Sequence, residues 1–237
     1  MPTILITGAN RGLGLEFVRQ YAADGWDVIA CCRDPGGAEE LHSLAAANPA
    51  IKIEQLDVTD FSAIESLAKK YADIPIDVLL NNAGIIGPIP IADHIKRQHF
   101  GSMDYGVWEE VLRVNTLAPV KMAEAFLDNV AASKQKKIVT ISSTVGSIGS
   151  MTVPAIAYAS SKTALNRAMS IIAGQLKPRG ITVAMYCPGY VKTRMDTYGY
   201  ATVEIVDSIS ALRPMIAELT LEQTGCYRGH DGRTIPW

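Results

Sequence analysis

Tyr158 and Lys162 stand four residues apart in Tyr158-Ala159-Ser160-Ser161-Lys162, at the start of a stretch whose apolar residues recur at helical spacing. Residues at i and i+4 share one face of a helix, so a phenol and an ammonium can be held together against one ligand. A free phenol, with a pKa of about 10, is a poor base at neutral pH; a neighbouring cation favours its ionised form and makes it a general acid or base. Tyr-x-x-x-Lys is also common on ordinary helix surfaces, so the chemical reading depends on what surrounds it. Upstream, Ile141-Ser142-Ser143 ends an apolar run of strand type and places a hydroxyl where it can donate to a substrate carbonyl and stabilise developing oxyanion charge. We assign that role to Ser143 over Ser142. Further upstream, Asn115 lies in Arg113-Val114-Asn115-Thr116 within a long apolar helix, where a buried amide needs hydrogen-bond partners. It is either a structural network residue or part of a proton relay.

A second chemical feature lies near the N-terminus. Thr7-Gly8-Ala9-Asn10-Arg11-Gly12-Leu13-Gly14 follows the run Thr3–Thr7 and leads into a segment with Leu15, Val18 and Tyr21 at helical spacing. Glycines there let the backbone turn tightly and approach a pyrophosphate, whose charge the amides of the following helix stabilise. The spacing is Gly-x-x-x-Gly-x-Gly with no Gly-Lys-Ser/Thr ending, which disfavours a nucleoside triphosphate. The next strand-like run ends in Cys31-Cys32-Arg33-Asp34. Sites for NAD usually set an acidic side chain against the ribose 2′-hydroxyl at this point. Here Cys32 takes that place, and Arg33 beside it, with Arg11 in the glycine loop, can pair with a 2′-phosphate. NADP(H) is therefore expected over NAD(H). Two alternatives stand: a one-residue shift of the strand end brings Asp34 to the ribose, and either arginine can be a plain exposed loop residue.

These residues need a scaffold. Runs of strand length occur at Thr3–Thr7, Asp27–Cys32, Ile51–Leu56, Asp77–Leu80, Lys137–Ser142 and Thr182–Tyr186. Helical spacing occurs near Gly14–Ala23, Ala38–Ala47, Ser62–Tyr71, Tyr105–Leu127, Tyr158–Leu176 and Val203–Leu219. The strands hardly alternate, as expected when both faces are buried, and the βαβ order predicts a doubly wound parallel sheet. The loops after strands, at Gly84–Pro90, Thr144–Pro154 and Cys187–Tyr200, are where such a sheet handles ligands. The 237 residues suit one domain, 1–237, with no internal repeat or linker.

A net charge of −2 gives no electrostatic reason to expect nucleic acid or an anionic membrane as partner, and the basic cluster from Lys134 to Lys137 reads as a solvated turn. No secretory signal is visible and no apolar stretch reaches the roughly 18 residues of a membrane span, so a soluble, cytoplasmic protein is expected. Cys31, Cys32, Cys187 and Cys226 lack metal or redox spacing, and Cys31 and Cys32 should face opposite sides of the sheet. His94 and His99 read as surface residues, and no metal is expected.

The ordered set Thr7-Gly8-x-x-x-Gly12-x-Gly14, Asp57, Asn81-Asn82-Ala83-Gly84, Asn115, Ser143, Tyr158-x-x-x-Lys162 and Pro188-Gly189 resembles the short-chain dehydrogenase/reductase family over essentially the whole chain. Within it, Ile4 to Leu15, Pro188-Gly189-Tyr190-Val191-Lys192-Thr193 and the ending Asp231-Gly232-Arg233-Thr234-Ile235-Pro236-Trp237 are similar to the sniffer-like carbonyl reductases and the bacterial C-factor-like proteins. One departure is a slightly longer stretch between Ser143 and Tyr158.

The resemblance implies a three-layer doubly wound Rossmann fold with a parallel seven-stranded sheet. It implies that Tyr158 exchanges the proton, Ser143 polarises the carbonyl, Lys162 lowers the tyrosine pKa and binds nicotinamide ribose, and Asn115 supports the relay. Asp57 and Val58 are implied to contact adenine, Asn82, Ala83 and Gly84 to line the cofactor cleft, and Val191 and Thr193 to reach the carboxamide. A homodimer or homotetramer is implied through the helices carrying Asn115 and Tyr158, whose apolar residues include Leu117, Met122, Ala125, Phe126, Leu165, Met169 and Ile172. The loops Ile85–Ile91, Ser147–Ile156 and Tyr190–Tyr200 offer Ile86, Met151, Tyr190, Met195 and Tyr198, a lining suited to an apolar or aromatic carbonyl compound. The expected activity is NADP(H)-dependent reduction of aldehydes or ketones to alcohols. The alternatives are an NAD-dependent alcohol or hydroxysteroid dehydrogenase and a cofactor-binding signalling protein.

Overall fold

Strands covered on both faces have no polar side, and that is what the central runs show: every residue of β1 (Thr3–Thr7), β4 (Val78–Asn81), β5 (Lys137–Ile141) and β6 (Thr182–Cys187) is buried. The computed structural model describes all residues except Met151, Thr152 and Thr197. The remaining strands are β2 (Asp27–Cys32), β3 (Ile51–Gln55) and β7 (Cys226–Gly229), and the seven form one parallel sheet in the order β3-β2-β1-β4-β5-β6-β7.

Helices cover both faces. On one, α1 (Gly12–Ala23), α2 (Glu39–Ala47) and α9 (Ile205–Ala217) enclose a core containing Phe17, Leu41 and Leu212. On the other, α3 (Phe61–Lys70), α6 (Ala118–Ala125), α7 (Leu127–Ala132) and α8 (Ile156–Leu176) enclose one containing Ile64, Phe126 and Leu165. The fold is thus a three-layer, doubly wound Rossmann-type domain. Cys31 and Cys32 fall in the two different cores, as their alternation requires. The chain winds outward from β1 to β2 and β3, then crosses to β4, so the switch in direction opens a crevice at the carboxyl ends of β1 and β4.

Three expectations change. The single helix over Tyr105–Leu127 is instead α5 (Tyr105–Leu112), a π-helical turn at Arg113–Leu117, and α6. Pro119 has no amide to donate to Asn115 four residues earlier, and its ring crowds that carbonyl, so the Ala118 N–H bonds to Arg113 one residue further back. Lys137 is no part of a solvated turn. It opens β5, is buried, and its Nζ donates to the carbonyls of Ile216 at 2.9 Å and Ala217 at 2.8 Å, closing the C-terminus of α9. His94 and His99 are half-buried, because their segment forms α4 (Ile91–His94) and a 3-10 turn, Ile95–Gln98, that pack inward through Ile91 and Gln98. Of the apolar residues on the helices carrying Asn115 and Tyr158, which the sequence does not divide between core and interface, Met122, Phe126, Leu165 and Met169 belong to the core, while Leu117 is exposed. Among the described residues no helix is long and apolar enough to cross a membrane.

Candidate active site

The glycine loop is held by contacts that leave no room for side chains. Gly8 has φ +66°, and a Cβ on it would stand 3.0 Å from the Ala83 backbone; one on Gly14 would stand 2.1 Å from the Gly8 carbonyl oxygen and 2.6 Å from Asn82 Nδ2. Asn82 Nδ2 donates to the carbonyls of Thr7 at 2.9 Å and Gly8 at 3.2 Å, while the amides of Asn82 and Ala83 donate to Thr7 Oγ1. Asn82 and Ala83 therefore tie the loop after β4 to the loop after β1. Arg11 caps α1 in an extended conformation, with no side-chain hydrogen bond to the cap and no acidic residue in the first turn. Those amides suit an anion. Thr193 Cγ2 lies 3.9 Å from where a Gly12 Cβ would be, which brings the loop after β6 up to the glycine loop.

β2 ends at Cys32, so Arg33 is the first residue beyond the strand. The side chains of Arg11 and Arg33 are exposed, and neither residue forms an ion pair with a described residue. The Asp34 carboxylate folds back on its own turn, 3.2 Å from a Cβ built on Gly37. Asp57 is occupied in a turn, accepting from Thr59 N at 2.9 Å and Thr59 Oγ1 at 2.7 Å. Val58 lines a small crevice with Thr7, Asn81, Ala83 and Val114.

Tyr158 and Lys162 lie in the first two turns of α8. The Tyr158 amide, which has no partner inside the helix, donates to Gln98 Oε1 at 3.0 Å, and Ser161 Oγ donates to the Tyr158 carbonyl at 2.7 Å. Lys162 Nζ is 6.0 Å from the Tyr158 ring centroid and donates to the Ile141 carbonyl at 2.9 Å. Asn115 is completely buried in the π-helical turn. Its Oδ1 accepts from Ile85 N at 2.9 Å, and its Nδ2 donates to Ile85 O at 2.8 Å and Ser161 Oγ at 3.0 Å. Both amide hydrogens are thus committed, which favours the network reading over the relay. A Cβ on Gly84 would lie 3.3 Å from Asn115 Oδ1 and 3.5 Å from Lys162 Nζ, so the glycine opens the space those two groups share. The two serines part company: Ser142 is buried with its Oγ donating to Asn166 Oδ1 at 2.5 Å, whereas the half-buried Ser143 accepts from Val145 N at 3.4 Å and acts on the Tyr158 phenol, favouring its ionised form.

Burial acts on both ionisable partners of the site. Burial pushes the Tyr158 phenol up to about 12, and Ser143 is what pulls against it. Burial also lowers Lys162 to about 8. In the chain alone desolvation governs both groups. A stability prediction follows from the lysine. Below pH 8 both folded and unfolded chains carry the Lys162 charge, and the cost of burying it is fully present. From about 8 to 10.5 the folded chain releases its proton first, so this residue's contribution to stability rises with pH. Urea unfolding should therefore show the stability of Lys162→Met relative to wild type falling by on the order of 2 kcal/mol between pH 7 and pH 10. A difference that grows over this range would contradict the assignment.

Pro188-Gly189 follows β6. Gly189 has φ +88°, and a Cβ there would come within 2.6 Å of His230 Cε1. Val191 is buried and bridges to Val203, and Thr193 Oγ1 accepts from Met195 N at 3.2 Å. Of the residues expected to line the substrate side, Ile86 is half-buried, Tyr190, Met195 and Tyr198 are exposed, and Met151 lies outside the described residues.

A family model for short chain dehydrogenase matches residues 2–203. The chain belongs to the short chain dehydrogenase family. The NADPH-bound carbonyl reductase from chicken fatty liver superimposes with a TM-score of 0.90 at 30% identity, covering 100% of this chain and 99% of that one. Carbonyl reductase Sniffer of D. melanogaster gives 0.87 at 30% identity with 100% of both chains covered. An uncharacterized oxidoreductase of Schizosaccharomyces pombe is 30% identical over 98% of this chain and 96% of its own length. The similarity to sniffer-like carbonyl reductases is borne out.

Within this short chain dehydrogenase the structure adds residues that spacing did not single out. Gln98, fully buried, bonds the Tyr158 amide with one end of its side chain and the Ile86 carbonyl, at 2.6 Å, with the other. Asn166 joins Ser142 to the Gly146 carbonyl at 3.3 Å. Tyr227 of β7 donates its hydroxyl to the Ser143 carbonyl. None stood out because each works through backbone atoms of distant segments; the one available signal is a polar residue in an otherwise apolar setting, as with Asn166 in α8.

Proposed function

We propose that this protein reduces aldehyde or ketone carbonyls to alcohols with NADPH, Tyr158 supplying the proton. The observation that carries the reading is the Tyr158 phenol set beside Lys162, whose Nζ is 6.0 Å from its ring centroid, with Ser143 acting on it and the shared space at Gly84 next to them. Two hydroxyls so placed can both turn to one carbonyl oxygen, Ser143 donating as charge builds and Tyr158 delivering its proton. A phenol held at about 12 keeps its proton at neutral pH, the state a reduction needs. Lys162 holds positive charge beside the phenolate left behind, and Asn115 holds Ile85 and the Tyr158 helix in register through Ser161.

The residues present fit a dinucleotide. The amides of α1 lack a side-chain cap, the glycine loop is bare to close approach, and the neighbouring chicken enzyme is described with NADPH bound. When bound, the nicotinamide supplies the hydride. Arg11, Asn10, Gly12 and Leu13 would hold the phosphates, Asp57 and Val58 the adenine, and Val191 and Thr193 the carboxamide end. The exposed guanidiniums of Arg11 and Arg33 favour NADPH. Losing one charge-assisted bond to a phosphate costs about 1.5–3 kcal/mol, so Arg33→Ala should weaken NADPH binding roughly tenfold or more while leaving NADH unchanged. Titration of wild type and variant with both cofactors checks this, and an equal loss for the two would remove the 2′-phosphate argument.

A further inference from the structure

Ser143 is more than the last residue before a loop. The peptide unit that joins it to Thr144 is gripped from both edges. Its carbonyl, belonging to Ser143, accepts the hydroxyl of Tyr227, and its amide, belonging to Thr144, donates to Cys187 Sγ at 3.2 Å. The two grips come from neighbouring strands: Cys187 is the last residue of β6, and Tyr227 lies in β7, paired with Met185 in the β6 register. Both side chains are buried, Tyr227 to 2% and Cys187 to 3% exposure.

Resting on the reading of Ser143 as the group that polarises the carbonyl, we propose that Tyr227 and Cys187 are positioning residues for it. They fix the plane of the Ser143–Thr144 peptide and thereby the direction in which the Ser143 hydroxyl points. A peptide plane can rotate about its flanking bonds unless its polar edges are held. Here rotation breaks two bonds to side chains that are themselves buried, which leaves the Tyr227 hydroxyl without its acceptor. Ser143 itself is extended, with φ −158° and ψ 148°, and from that backbone its Oγ accepts from Val145 N at 3.4 Å. The same loop is tied down beside this grip, Ser142 Oγ donating to Asn166 Oδ1 at 2.5 Å and Asn166 Nδ2 to the Gly146 carbonyl at 3.3 Å. The Tyr227 ring packs against Trp237 at 5.6 Å between centroids, and the Ile235 amide donates to the Tyr227 carbonyl at 2.9 Å, which seats the strand from its outer side.

The test is a double-mutant cycle in the full chain with NADPH and an aromatic aldehyde. Tyr227→Phe keeps the packed ring and removes only the hydroxyl. Misaiming a catalytic donor costs up to about a hundredfold, so a drop in kcat of about tenfold is expected, with NADPH affinity unchanged. In a Ser143→Ala background the same substitution should alter residual kcat by less than about twofold, since nothing is left to aim. Cys187→Ser, which keeps an acceptor, should retain most of the activity that Cys187→Ala loses. An unchanged kcat for Tyr227→Phe, or an equal fall with and without the Ser143 hydroxyl, would overturn the positioning role while leaving the function intact. If Ser143→Ala itself turns over normally, the reading of Ser143 fails and the positioning role goes with it.

Discussion

Tyr158→Phe should lower the rate of carbonyl reduction about a thousandfold while NADPH still binds, because the substitution removes the proton donor and little else. The ring stays. The backbone bonds that seat the residue, from its amide to Gln98 and from Ser161 to its carbonyl, do not involve the phenol oxygen. What is lost is the proton for the nascent alkoxide and the interaction of the phenol with Ser143. Rapid-mixing measurements at saturating NADPH separate chemistry from binding. A variant that keeps a tenth of wild-type turnover, by a rough threshold well above the loss expected of a missing general acid, would mean that the proton comes from elsewhere.

Gly14→Ala should abolish NADPH binding or prevent folding. The added methyl would sit 2.1 Å from the Gly8 carbonyl oxygen and 2.6 Å from Asn82 Nδ2, and the first of these is backbone that Asn82 already pins. Either the glycine loop opens or α1 withdraws from it, and both destroy the surface a pyrophosphate needs. The expected cost is at least about 1–3 kcal/mol of stability from overpacking, with cofactor affinity down a further hundredfold or so. Gly174 supplies the contrast. It lies in α8 with open space around its would-be Cβ, so Gly174→Ala should stabilise the protein by about 0.5–1 kcal/mol. Thermal unfolding of the two variants, with and without NADPH, checks both; similar behaviour at the two sites would show that the loop has more freedom than its contacts imply.

Much of this was legible in the residues. Apolar runs bounded by glycine and polar clusters placed β1 and β2 at their observed ends, since strands buried on both faces leave a strong and unambiguous signal. Tyr158 and Lys162 could be singled out by their spacing on one helix face and Ser143 by its place at a strand end, whereas the role of Gly84 came only with the family resemblance. β7 escaped from pattern alone: Cys226-Tyr227-Arg228-Gly229 is four residues with a polar and a glycine member, and only pairing with β6 makes it a strand. The π-helical turn required combining Pro119 with the carbonyl of Asn115, a local clash that apolar periodicity does not register. The charge states were hidden for a different reason. Whether a neighbouring ammonium or desolvation governs a phenol depends on how much protein closes over it, and that is a property of the packed fold.

The measurement that tests the central claim most directly uses NADPH carrying deuterium at the transferable position of nicotinamide C4. The protein is incubated with it and a panel of aromatic aldehydes and ketones, and the products are analysed by mass spectrometry. The account predicts an alcohol with deuterium on the former carbonyl carbon, in step with the NADPH consumed, and no such product from Tyr158→Phe over the same time. Tight NADPH binding with no deuterium transferred to any carbonyl in the panel would contradict it.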